Sequence, residues 1–424
     1  MHDARLIRER LDELREAMRR RGALEALDPQ LDRCELLERQ RRSLLQAVEE
    51  RKAARNATSQ EVARRKKAGG DAADLVATGR ALGEEIGQLD AELATVEREF
   101  DGILLEIPNM TLADVPAGDE SNNIIVREWG TPRSSDGVRP HWEIAAAQEL
   151  FDLERGAKLS GSGFIVYRKK GARLVRALMN YFVDSHVDRH GYEEVWAPSI
   201  VNRSSMIGTG QLPKFENDAY RIADDDLFLI PTAEVPVTNL YRDETVDGQL
   251  LPMAFCAYSP CFRREAGSAG KDTRGILRVH QFDKVELVRY AVPEDSEAQL
   301  AALLGHAEAM LRGLGLPYRV KLLAAGDTGF SSAKTYDLEV WAAGVGAWLE
   351  VSSCSNFTDF QARRANIRFK PSKTEKPRFV HTVNGSGLAF PRTIAAILEH
   401  YQRPDGSVEV PEVLRPYVGT DRLA

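Results

Sequence analysis

Cysteine is scarce: the 424 residues hold four, Cys34, Cys256, Cys261 and Cys354. That is too few for a disulfide framework in a chain of this length, so a reducing, cytoplasmic setting is expected. No two cysteines have the C-x2-C spacing of a zinc site, and zinc is not expected. There is no apolar run of about 18 residues, so no membrane span is expected. Residues 1–8 lack the apolar stretch of a secretory leader. Also missing are a G-x-G-x-x-G run and a phosphate-loop lysine, which disfavours doubly wound and P-loop nucleotide folds. Basic excess is absent too. A net charge of −7 argues against a dedicated nucleic-acid coat, although a local basic patch can sit within an acidic total. Apolar residues at 43% and charged residues at 29% supply both a core and a solvated surface, which excludes a fully disordered chain.

Proline is nearly absent from residues 1–105, where only Pro29 occurs, and Arg, Glu, Ala and Leu dominate. From Ile107-Pro108-Asn109 onward, Pro, Gly, aromatic and β-branched residues become common. The shift divides the chain into 1–106 and 107–424. Leu75, Leu82, Ile86, Leu89, Leu93, Val96, Phe100 and Ile103 make a heptad seam. An earlier one runs through Cys34, Leu37, Arg41, Leu44 and Val48. Gly69-Gly70 separates them and Asp71 is the expected N-cap. The pattern predicts an antiparallel helical hairpin over about 30–101, with roughly 35 residues per helix and an arm of roughly 50 Å. Near its turn, Arg51, Lys52, Arg55, Arg64, Arg65, Lys66 and Lys67 face a single acid, Glu61. By itself this segment suits a dimerising coiled coil with a solvated basic face better than a phosphate-reaching arm.

Beyond residue 120 the pattern is mixed. Helices are predicted over 172–190, 294–314 and 393–402, and strands over 193–198, 255–262, 276–290, 347–353 and 378–383. Helices on a mainly antiparallel sheet, an α+β fold, follow from that order. The stretch 261–286 reads as strand, glycine-containing polar loop, strand. Alternation puts Arg263 with Glu265, and Arg278 with His280, Phe282, Lys284 and Glu286. Such a face makes a poor core. It is either an exposed face of cross-strand ion pairs or a floor for a nucleotide and a zwitterion, with Arg for phosphate and Phe282 for a base. A second polar stretch, Trp348-Leu349-Glu350-Val351-Ser352-Ser353-Cys354-Ser355-Asn356-Phe357, offers hard oxygens suited to Mg²⁺. Later, Asn384-Gly385-Ser386 precedes Phe390-Pro391-Arg392, an arginine at a helix start.

These stretches, with Thr232-Ala233-Glu234, Gly208-Thr209-Gly210-Gln211-Leu212-Pro213-Lys214-Phe215 and Asp359-Phe360-Gln361-Ala362-Arg363-Arg364-Ala365-Asn366, resemble the bacterial-type seryl-tRNA synthetases, class II aminoacyl-tRNA synthetases, over the whole chain. The resemblance implies a seven-stranded-type antiparallel catalytic sheet preceded by a two-helix coiled-coil arm. It implies a homodimer, with Pro198 at the interface. The activity implied is formation of seryl-adenylate from L-serine and ATP with Mg²⁺, then transfer of the seryl group to tRNA-Ser and, by extension, tRNA-Sec.

The same resemblance carries residue roles. Arg263 would contact the α-phosphate, Glu265 orient ATP, Arg278 and Arg392 meet the β- and γ-phosphates, and Phe282 stack on adenine. Arg264, Val351 and Ser352 fall within the ATP-binding runs, and Glu350 and Ser353 match the Mg²⁺ ligands. Strict alternation pairs Glu350 with Ser352, so Ser353 requires a bend. Thr232, Ala233, Glu234, Glu286, Asn384 and Ser386 match the serine positions. The basic residues near the arm's turn become contacts to the long variable arm of tRNA-Ser, and Lys271 and Arg274 in the loop 266–277 contacts to its acceptor end. His280 is expected to be a hydrogen-bonding sheet residue and not a general base. Two departures stand out. Pro391 suits a helix start but restricts Phe390 to extended backbone. Arg264 replaces a small residue and should point away from ATP. The alternatives are a paralogue delivering serine to a non-tRNA acceptor, which arm loss would favour, and a non-catalytic relative, which lost arginines would favour.

Overall fold

The computed structural model describes residues 1–266 and 274–423. It forms two compact units, Met1–Pro108 and Asn109–Ala424.

In the first unit, helices α1 (Ala4–Glu9) and α2 (Leu11–Arg20) precede the long helices α3 (Leu24–Lys67) and α4 (Ala73–Leu104). Of the two heptad seams, Cys34, Leu37 and Val48 on α3 and Ile86, Leu93 and Phe100 on α4 are buried and the other members half-buried, with Leu31 and Leu104 buried alongside. Ion pairs cross between the helices: Arg33–Glu99 at 2.6 Å, Arg41–Glu97 at 3.0 Å and Arg51–Glu85 at 2.7 Å. Partner numbers fall as those on α3 rise, so the helices are antiparallel. Gly69 closes the turn with φ +74°, the left-handed backbone that glycine adopts without strain. Asp71 accepts a hydrogen bond from the Ala73 N–H at 3.0 Å, yet the cap position is Ala72, one residue later than expected.

α3 is also longer than expected. Its 44 residues span about 66 Å, because the helix runs through Pro29. An interior proline costs a helix about 3 kcal/mol. Here α1 and α2 pack on the same stretch, burying Ile7, Leu14 and Met18, and Arg15 bonds Asp28 at 3.0 Å. From residue 49 to 67, α3 buries no side chain.

An eight-stranded sheet organises the second unit, one strand more than the family type implied. The strands are β1 (Ile124–Trp129), β2 (Glu193–Glu194), β3 (Met253–Phe262), β4 (Gln281–Ala291), β5 (Tyr318–Leu322), β6 (Lys334–Ala342), β7 (Ala347–Thr358) and β8 (His381–Ala389). Their order is β1-β5-β6-β7-β8-β4-β3-β2, antiparallel throughout except for the parallel pair of β2 with β3. Helices α5 (His141–Gln148), α6 (Lys169–His190), α7 (Glu234–Thr238), α8 (Ser296–Gly313) and α9 (Phe390–His400) surround it.

One face of the sheet makes the main core. Val285 and Leu287 of β4, Cys354 of β7 and Val383 of β8 pack with Leu178 and Phe182 of α6, Leu303 of α8 and Ile394 of α9. Space is tight: a Cβ on Gly385 would lie 2.7 Å from Leu303, and one on Gly387 2.5 Å from His186. The two glycines of Asn384-Gly385-Ser386-Gly387 thus let α6 and α8 lie directly on β8, while Asn384 and Ser386 face the other way. Phe390 is helical, the first residue of α9, and the extended residue is Ala389. Phe390 is buried 5.7 Å from the Phe182 ring, and that packing offsets the local preference imposed by Pro391.

Candidate active site

The opposite face of β4, β7 and β8 floors a cleft of about 550 Å³. Alternation along β4 sends Lys284 and Glu286 into it while Val285 and Leu287 enter the core. Glu286 lies directly opposite Ser386 in the ladder. On β7 the alternation breaks: Glu339 of β6 pairs with Glu350 and Leu338 with Ser352, leaving one extra residue between. This bulge turns Glu350 and Ser353 to the cleft together. Ser352 is turned inward, where its hydroxyl donates to the Ser386 carbonyl at 2.7 Å.

Three guanidiniums gather at one end. Arg263 lies beyond the end of β3, its guanidinium 5.1 Å from the Phe282 ring centre. Arg278 pairs with Glu265 at 2.5 Å, and Glu265 holds a left-handed backbone with φ +54°. Arg392 donates to the Leu277 carbonyl at 3.1 Å and the Glu350 carbonyl at 2.9 Å. Residues 276–280 form a turn followed by bends, not strand as expected, and β4 begins only at Gln281; Ile276, Leu277 and Val279 are buried there. Arg278 still faces the cleft, whereas His280 does not line it. His280 donates from its ring to the Arg263 carbonyl at 3.0 Å and stacks on Phe164, a structural role.

The other end is more deeply buried. Thr232 Oγ1 accepts the Glu234 N–H at 3.1 Å and the Lys284 ammonium at 2.9 Å, and donates to Glu286 at 3.3 Å. Lys284 is also ion-paired with Glu286. Glu234 accepts from the Gln361 amide at 2.6 Å, and Gln361 in turn accepts from Thr382 at 2.7 Å. Burial, and then the charge of Glu286, push the Glu234 carboxyl above its ordinary range. Asn384 and Ser386 complete this end. Two carboxylates and one ammonium leave it net negative, ready for a cation.

The cleft therefore brings together Arg263, Glu265, Arg278, Phe282, Glu350, Val351, Ser353, Arg392, Thr232, Glu234, Glu286, Asn384 and Ser386. Three others do not line it. Ala233 is buried in a second core, Ser352 faces the sheet interior, and Arg264 reaches the Asn217 carbonyl at 3.4 Å. Lys284, which lines the cleft, and Gln361, which bonds Glu234 from outside it, are polar residues of this end that the sequence pattern does not single out as binding residues. Alternation puts Lys284 on the right face but assigns it no role, since an exposed lysine and a site lysine look alike there. Lys271 lies outside the described residues, and the Arg274 guanidinium sits 5.3 Å from the Trp142 ring centre. On the arm, Arg51, Lys52, Arg64 and Arg65 are ion-paired with Glu85, Asp90, Glu61 and Asp74. Lys66 and Lys67 are exposed.

An antiparallel sheet whose cleft carries arginines from a strand–loop–strand pair and from the helix after the last strand defines a class II aminoacyl-tRNA synthetase. Residues 214–401 match the tRNA synthetase class II core domain (G, H, P, S and T), and residues 1–111 match the seryl-tRNA synthetase N-terminal domain. The chain is 64% identical to the serine–tRNA ligase of Gemmatimonas aurantiaca over 100% of both sequences. Among solved structures, seryl-tRNA synthetase from Pyrococcus horikoshii, complexed with ATP, superposes with a TM-score of 0.93 at 37% identity, covering 100% of this chain and 99% of that one. A serine–tRNA ligase from Naegleria fowleri, complexed with AMP, gives 0.87 at 31%, covering 100% and 98%. The chain belongs to the seryl-tRNA synthetase family.

Proposed function

We propose that this cleft joins L-serine to ATP as seryl-adenylate and passes the seryl group to the 3′-terminal ribose of tRNA-Ser. The observation that carries the proposal is the split of charge along one cleft: three guanidiniums against the carboxylates of Glu265 and Glu350, net positive and beside Phe282, at one end, and two carboxylates against one ammonium at the other. A triphosphate suits the first end and an amino acid's ammonium the second. Arg263 holds the α-phosphate, Arg278 and Arg392 the β- and γ-phosphates, Phe282 the adenine, and Glu265 orients the nucleotide. Glu234 and Glu286 hold the serine ammonium, while Thr232, Asn384 and Ser386 bond its polar atoms. A site built to bond a hydroxyl rejects alanine, because its buried polar groups would be left unpaired.

A serine carboxylate oxygen attacks the α-phosphorus in line. The bond to the bridging oxygen breaks and pyrophosphate leaves. A ribose hydroxyl of tRNA then attacks the acyl carbon and AMP departs. The protein supplies position and positive charge for both steps. Mg²⁺ travels with the ATP. Glu350 and Ser353 offer it two hard oxygens on one side of β7, a donor set that fits an ion held mostly by phosphates and water. Bound there it would neutralise phosphate charge.

The basic end of the arm contacts the long variable arm of tRNA-Ser, and tRNA-Sec by the same route, in the cytoplasm. The working form is a homodimer closed around the segment of Pro198, whose neighbour Trp196 is 72% exposed. Light scattering reads the oligomeric state directly.

Charging of transcribed tRNA-Ser with labelled serine tests the whole scheme, and serine-dependent ATP–pyrophosphate exchange tests the first step alone. Arg263→Ala is expected to abolish both. Exchange without charging would point instead to a different acceptor for the seryl group, and neither activity would overturn the proposal.

A further inference from the structure

Two fully buried residues, neither of which lines the cleft, form a polar assembly that the roles above leave unused. His141 opens α5 and Glu399 sits near the end of α9. Glu399 Oε1 accepts both the backbone N–H of His141 at 2.9 Å and its ring Nδ1–H at 2.8 Å. Glu399 Oε2 accepts the N–H groups of Gly344 at 2.8 Å and Val345 at 3.1 Å. With Nδ1 donating to a carboxylate, Nε2 presents its lone pair. It meets the Ile276 backbone N–H at 3.2 Å, a group that can only donate. Both partners assign the same tautomer.

What this imidazole holds is the stretch leading into the cleft. Gly275 has φ +71°, and a Cβ there would stand 2.2 Å from His141 Nε2, so the backbone passes flush against the ring. One residue beyond Ile276, the Leu277 carbonyl accepts from Arg392 at 3.1 Å. One further, Arg278 reaches Glu265 at 2.5 Å. α9 thus grips this segment from both of its ends, directly through Arg392 and through His141 from Glu399.

We propose that His141, oriented by Glu399, is a positioning residue for adenylate formation: it fixes residues 275–277 and through them the placement of Arg278 and Arg392. The inference rests on the phosphate roles proposed for those two arginines. Asparagine at 141 keeps a donor for Glu399 but cannot reach Ile276, whereas glutamine carries an amide oxygen out to the position of Nε2. In ATP–pyrophosphate exchange by the full chain, His141→Asn is expected to lower kcat/KM for ATP about tenfold, the effect of one buried donor left unpaired, with the KM for serine within about twofold. His141→Gln should recover most of the loss. Gly275→Ala disturbs the same contact from the segment's side, driving a Cβ against His141 Nε2 while leaving the His141 and Glu399 side chains themselves unaltered. It should reproduce the asparagine phenotype, and the double variant should be no worse than either single one. Parent-like exchange by His141→Asn, equal losses for ATP and serine, or an additive double variant would each overturn the role. No exchange by the unaltered chain would instead overturn the proposed function on which it rests.

Discussion

At the scale of single residues, the site sets electrostatic need against stability, and Glu234 shows it most clearly. Its carboxyl is raised first by burial and then by the charge of Glu286. The folded protein therefore keeps this proton at pH values where the unfolded chain, near an ordinary value of about 4.3, has lost it. More protons bound in the folded state means that stability falls as pH rises through the folded-state value. Glu234→Gln keeps the shape and removes the titration. Its denaturant midpoint should gain on the parent's between pH 5 and pH 8, while the KM for serine rises about tenfold because a neutral amide replaces the charged partner of the ammonium. Midpoints that keep a constant difference at both pH values would contradict the assignment. Arg263, Glu265, Arg278, Phe282 and Glu286 stand out in the sequence as an unusual polar strand face, which alternation alone leaves open between a site floor and a surface of ion pairs. Thr232, Glu234, Asn384 and Ser386 are assigned only by the family resemblance. Lys284 is less conspicuous, since only its contacts with Thr232 and Glu286 separate it from a surface lysine.

Among elements, the C-terminal end of α6 shows a different balance. His186 and His190 lie one turn apart, their Nδ1 atoms 3.0 Å from each other, and His190 stacks on His306 of α8 at 4.1 Å. The Arg289 guanidinium sits 4.7 Å from the ring centre of Tyr192, whose hydroxyl meets His306 at 3.2 Å. Burial, before any neighbouring charge, pushes His186 down to about 3 and His306 to about 4, and lowers His190. The unfolded chain takes up protons below about pH 6.5 that the folded chain refuses, so stability should fall on acidification from pH 7.5 to 5. The slope is up to about 1.4 kcal/mol per pH unit for the buried His186 and smaller for the half-buried His190 and His306, whose charge solvent partly screens. His306→Gln should flatten it; parallel midpoint-against-pH curves for parent and variant would exclude this source of acid sensitivity. Elements are also where local sequence signals misled. The pattern predicts the hairpin from about residue 30, but α3 begins at Leu24 and runs through Pro29, where α1 and α2 pack on it. The bulge in β7 has no signature in Glu350-Val351-Ser352-Ser353, yet it decides which serine faces the cleft.

For the whole molecule, the composition change along the chain reflects two kinds of core, a heptad seam in one unit and a helix-covered sheet in the other. Each unit buries its own apolar residues, so a chain of residues 109–424 should fold alone. It should keep serine-dependent pyrophosphate exchange within about threefold while losing tRNA charging, since every residue lining the cleft lies in that unit. The arm's contribution can then be resolved charge by charge. Arg64 and Arg65 are engaged with Glu61 and Asp74, so phosphate binding must compete with these pairs. Lys66 and Lys67 are exposed, and no carboxylate pairs with them among the described residues. Each phosphate that the arm no longer neutralises should lower the slope of log affinity against log salt by about 0.7–0.9. Replacing Lys66 and Lys67 with alanine should therefore raise the KM for tRNA more, and flatten its salt dependence more, than replacing Arg64 and Arg65. Neither change should alter exchange. If the arginine pair proves the stronger, the ion pairs open on binding and the arm meets phosphate with the very groups it holds closed when free.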